Sequence, residues 1–102
     1  MRKVNKIADL IMYSGPNLEE LILNASNNGK NITINNLDKG ILEVIIEDTV
    51  VYDVKVIDSY FYDIDKKLIK HSIILNNKET VIFDKNKEII KLLRVENNIE
   101  VA

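Results

Sequence analysis

Beyond Ile41 the chain alternates apolar and polar positions with a period of two, and no glycine or proline interrupts it; Gly15, Pro16, Gly29 and Gly40 are the only residues of those types. A period of two places every second side chain on one face of a strand. The chain must still reverse direction, and Asn and Asp are the remaining residues that enter left-handed turn conformations at low cost. They recur at Asp65-Lys66, Asn76-Asn77, Asp84-Lys85-Asn86 and Asn97-Asn98. This pattern predicts an antiparallel meander with Asx corners after a helical N-terminal third.

Within that third the period changes. Val4, Ile7, Ala8 and Ile11 follow the i, i+3, i+4, i+7 spacing of one helix face, with Lys3, Lys6 and Asp9 opposite, which predicts a helix over 3–13. Ser14-Gly15-Pro16 ends it. Asn17 is placed to cap a second helix, with Glu20 three residues on and Leu18, Leu21, Ile22 and Ala25 on one face; Asn27-Asn28-Gly29 stops it.

Strands are expected over Asn31–Asn36, around Ile32 and Ile34, and over Ile41–Ile46 after a turn at Asp38-Lys39-Gly40. Leu37, Ile41, Val44 and Ile45 also fit a helix, but β-branched enrichment favours the strand. Val50, Tyr52, Val54 and Val56 alternate with Asp53 and Lys55, so one long strand is expected to run to Asp63, bent near Asp58-Ser59. Ile69, His71, Ile73 and Leu75 share a face of the next strand, and Thr80–Phe83 forms another. Glu88–Val95 is apolar in pairs and fits either a last strand or a short helix, and Ile99 and Val101 suit an edge segment. The reading is a single α+β domain over 1–102: two N-terminal helices packed on an antiparallel sheet of about five strands, as a meander or small open barrel. The element order resembles that of small SH3-like or Sm-like barrels. The glycine such barrels place in their second strand is absent between Ile41 and Phe83, and no functional residue is carried over.

Composition narrows the function classes. The chain is 46% hydrophobic and 29% charged, ordinary for a globular domain. Its formal net charge of −2 lacks the basic excess that phosphate neutralisation demands. Cysteine is absent, which excludes disulfides and thiolate chemistry. No apolar run approaches a membrane span, and no signal-peptide pattern follows the basic Met1-Arg2-Lys3, so a cytoplasmic location is expected.

His71 is the only imidazole, so any histidine-based acid–base scheme runs through it; as a strand residue it reads first as packing. Asp53, Asp58, Asp63 and Asp65 lack calcium-loop spacing, and no metal or cofactor site is expected. Glycine-rich phosphate loops are absent. A recognition helix starting Asn17-Leu18-Glu19-Glu20 would turn acids toward phosphates, which argues against a helix-turn-helix reader. Tyr60, Tyr62, Lys66, Lys67 and Lys70 form an aromatic and basic set that could stack bases on a sheet. The last elements are aliphatic, and Ile89, Leu92, Leu93 and Val95 are candidate partner-binding residues, with Lys85, Lys87 and Lys91 as edge guards. The expected function is a non-catalytic protein–protein interaction module, a small accessory, regulatory or inhibitor-type protein that binds a protein partner or forms a homo-oligomer such as a homodimer. The alternative is a nucleic-acid-binding small β-barrel using the aromatic and basic set. An enzyme built on His71 and a nearby Asp ranks last.

Overall fold

The structure, a computed structural model, describes residues 3–49 and 51–96. Helices α1 (Lys3–Met12) and α2 (Leu18–Asn27) precede strands β1 (Asn31–Asn36), β2 (Leu42–Thr49), β3 (Lys55–Tyr62), β4 (Leu68–Leu75) and β5 (Lys78–Asp84), and helix α3 (Lys85–Glu96) follows. The strands pair antiparallel in sequence order, giving an α+β fold with an open five-stranded sheet whose edges are β1 and β5.

Several elements form for the reasons the sequence offers. Asn17 caps α2 by accepting the Glu20 N–H at 3.0 Å, and Asn28 closes it. Asn76 and Asn77, at φ 52° and 63°, make the two-residue corner between β4 and β5. Asp63 Oδ1 accepts from the N–H groups of Asp65 and Lys67, an Asx turn that joins β3 to β4.

Three expectations are corrected. No single strand runs to Asp63: β2 extends to Thr49, and Val51–Asp53 is a turn with Tyr52 and Asp53 in left-handed conformations. Tyr52 alternates in sequence but is 94% exposed. Val50 lies outside the described residues. The irregularities also lie elsewhere than Asp58-Ser59: the register shifts at Phe61/Tyr62, leaving Ile69 as the extra residue, and at His71/Ser72, leaving Ile82 as the extra residue. Finally, Asp84-Lys85-Asn86 is no corner. Asp84 ends β5 and accepts the Lys87 N–H at 3.1 Å, starting α3 directly. Glu88–Val95 is therefore helical, and helices stand at both ends of the sheet. The expected Asn97-Asn98 corner and the Ile99–Val101 edge lie outside the described residues.

Register places Ile32, Ile34, Leu42, Val44, Ile46, Asp58, Tyr60, Tyr62, Leu68, His71, Ile73 and Phe83 on one face. There α2 packs its Leu18 and Ala25 with Val44, Ile46, Tyr62 and Leu68 into the buried core. Helix α1 instead pairs with α3. The linker between α1 and α2 is tied to the sheet: Tyr62 donates its hydroxyl proton to the Pro16 carbonyl at 2.9 Å, and the Leu68 N–H donates to the Ser14 carbonyl at 2.9 Å.

Lys85 is 5% exposed and sits at the C-terminal end of α1, where its ammonium donates to the Tyr13 carbonyl at 2.8 Å and reaches the Ile11 carbonyl at 3.5 Å. It satisfies carbonyls that a helix end leaves open, and it meets the negative end of the helix dipole. Burial holds its pKa below the ordinary lysine value, with Asp63 opposing that shift. It is thus a cap rather than an edge guard. Lys85→Met keeps the volume and strands the carbonyls, so a loss of about 2 kcal/mol is expected in urea denaturation. Wild-type stability near the helix end would not depend on Lys85 if that loss were absent.

The other face carries the row Thr33, Ile45, Ser59, Ser72 and Val81. Ser59 and Ser72 are buried at its centre, and among the described residues the Ser72 hydroxyl finds no hydrogen-bond partner. An unsatisfied buried hydroxyl costs free energy, so Ser72→Ala is expected to raise stability by about 1 kcal/mol, read as a higher urea midpoint.

Candidate functional site

Across the helix-covered face runs a row of rings. Tyr60 stacks on His71 with centroids 4.1 Å apart and planes 10° from parallel, because β3 and β4 place them directly opposite each other. His71 pairs across the next ladder with Phe83, which meets Tyr13 edge-on at 5.3 Å. Asp58 lies diagonal to His71, and its Oδ1 is 2.9 Å from His71 Nε2. Both side chains are largely buried, at 17% and 28% exposure. Burial raises the Tyr60 phenol above its ordinary pKa, with the Asp58 charge adding to the effect. Pairing with Asp58 fixes the imidazole, and the Tyr60 ring covers one of its flat sides. The arrangement is that of a packed polar pair within an aromatic row.

The aromatic and basic set is dispersed. Tyr60 is packed as described, and Tyr62 is fully buried with its hydroxyl bonded to Pro16. Lys66 is bound to Glu19 at 2.7 Å on the surface, an ion pair that holds the Glu19 carboxyl below its usual range. Lys67 points toward the Met12 sulfur at 3.9 Å. Lys70 pairs in register with Phe61 and faces the opposite side of the sheet. The structure brings no stacking platform together from these five residues.

Asp53, Asp58, Asp63 and Asp65 likewise separate: Asp53 lies in the β2–β3 turn, Asp58 in mid-strand, and Asp63 and Asp65 in the β3–β4 turn. Among the described residues no group of three or more His, Asp or Glu is arranged to hold a metal. No helix among them is long and apolar enough to cross a membrane.

A groove of about 840 Å³ lies where α1, β5 and α3 meet. Its apolar lining is Leu10, Tyr13, Val81, Ile82, Phe83 and Leu92. Its charged lining is Lys6 and Asp9 of α1, Asp84, and Lys87, Glu88 and Lys91 of α3. The size falls within the range of pockets that hold ligands. Helical spacing explains the walls: Lys6, Asp9 and Leu10 share one face of α1, with Tyr13 just past its end, and Lys87, Glu88, Lys91 and Leu92 share one face of α3. Of the candidate partner-binding residues, Leu92 lines the groove and Ile89 is partly buried. Leu93 is 41% exposed. Val95 is in the last turn of α3, and its side chain lies outside the described residues.

Reading the sequence alone missed the groove because its walls come from opposite ends of the chain. The available signal was Asp84 as a cap followed by Ile89 and Leu92 at helical spacing. Comparison of the chain with protein-family models, with curated proteins and with solved structures finds no match.

Proposed function

We propose that this protein is a non-catalytic interaction module, a small cytoplasmic accessory or regulatory protein that holds a protein partner in the groove between α1, β5 and α3. The observation that carries the reading is the composition of that groove: apolar side chains beside charges of both signs. Protein interfaces likewise combine apolar and polar residues. Within it Val81 is 43% and Ile82 54% exposed, apolar surface that a partner would cover. The one imidazole is meanwhile engaged with Asp58 and stacked on Tyr60, which leaves it a packing role.

Affinity capture from extracts of the source cells tests the reading with wild type and an Ile82→Asp variant. Ile82 is exposed enough to accept the carboxylate without entering the core. The expected result is a protein captured by wild type and reduced at least tenfold with the variant, whose circular dichroism stays unchanged. Equal capture by both would place the contact elsewhere and overturn the reading.

A further inference from the structure

The groove touches four consecutive strand residues, Val81, Ile82, Phe83 and Asp84. Register sets Val81 opposite Ser72 on one face of the sheet and Phe83 opposite His71 on the other, with Ile82 the extra residue between them, so one hollow that meets both runs along the strand's edge. Strand β5 is a sheet edge, with β4 on its other side. The groove therefore follows a backbone whose outward N–H and C=O groups have no neighbouring strand among the described residues, with α1 and α3 as its far wall.

We infer that the groove receives an extended peptide segment of a protein partner, which adds to the outer edge of β5 as a sixth strand. This rests on the interaction reading above and names the form of the partner. An extended segment satisfies the edge backbone, whereas a helix keeps its own hydrogen bonds internal and offers that edge nothing. Alternate side chains of such a segment face the wall, where Leu10, Tyr13 and Leu92 provide apolar contacts. The lining carries both signs in balance, Lys6, Lys87 and Lys91 against Asp9, Asp84 and Glu88, so the apolar contacts and the strand edge select the segment rather than its net charge.

Selection of short peptides from a displayed random library against the full chain tests the inference. The expected clones alternate apolar residues and shift the amide signals of Val81–Asp84 in nuclear magnetic resonance spectra. N-methylating the peptide amides that face β5 should weaken binding about tenfold or more, the effect of losing one or two main-chain hydrogen bonds. Peptides that bind the groove with helical i, i+3, i+4 spacing and tolerate N-methylation would overturn the strand inference while leaving the interaction reading standing. Absence of any enriched peptide, or binding that leaves Val81–Asp84 unperturbed, would overturn both.

Discussion

Gly15→Ala is expected to destabilise the protein by about 3 kcal/mol, from overpacking and a left-handed backbone combined. Gly15 has φ +71°, a conformation that an L side chain adopts at a cost. A Cβ there would stand 2.6 Å from the Leu68 Cβ and 2.9 Å from its Cδ2. Leu68 cannot retreat easily, because it is 3% exposed in the core and its N–H is bonded to Ser14, the residue before Gly15. Urea denaturation should show a lower midpoint with an unchanged slope. A Gly15→Ala/Leu68→Ala double variant should lose less than the sum of the two single losses, since shortening Leu68 relieves most of the clash. Strict additivity would show that backbone conformation alone governs the site.

Tyr62 is expected to set the alkaline limit of stability. Burial pushes its phenol from about 10 up to about 12, with smaller contributions from Tyr60 and Tyr13. The sign follows from proton counting. Between pH 10 and 12 the unfolded chain releases the phenol proton while the folded chain keeps it, so stability falls as pH rises. The full stabilisation is present below pH 10, and about 3 kcal/mol of it is lost once pH passes the folded value. Lys85 acts in the opposite direction, since its lowered pKa makes stability rise with pH in the range just below the ordinary lysine value. Tyr62→Phe separates the two. At pH 8 it should cost about 1 kcal/mol, the hydrogen bond to Pro16. Its alkaline limb should be flatter, and near pH 12 the variant should become the more stable protein. Parallel stability curves for Tyr62→Phe and wild type from pH 8 to 12 would refute this account.

Both predictions concern the same junction, where the Ser14-Gly15-Pro16 linker meets the ends of β3 and β4. The partner reading depends on it as well. Tyr13 lines the groove, and its carbonyl is held by Lys85, so the linker that fixes the core also positions one wall of the groove. A variant that loosens the junction should therefore weaken groove binding along with stability.

Local information was enough for most elements. Asn17 and Asp84 both act on N–H groups three residues away, and Asn76-Asn77 turns the chain through two positive φ angles, interactions that span only a few residues. At β2 the β-branched enrichment selected the strand, and the irregularity at Ile69 put Leu68 on the face expected of Ile69. The period of two marked most of β3 and β4, because alternation is a property of the pleat. Tyr52 misled for the same reason: it continued the alternation although the chain had already entered a turn. Glu88–Val95 fitted two periods, and only the Asp84 cap and the contact with α1 select the helix.

What the tertiary structure decided lies across long separations. Tyr62 reaches Pro16 over 46 residues, Lys85 reaches Tyr13 over 72, and Asp58 meets His71 only because β3 and β4 pair in one particular register. The extra residues at Ile69 and Ile82 shift that register, and no rule of composition places them. Periodicity says which side chains face inward, since that depends on neighbours along the chain. Which inward faces meet depends on strand pairing and helix docking. For this protein those contacts placed α1 beside α3 and the groove along β5.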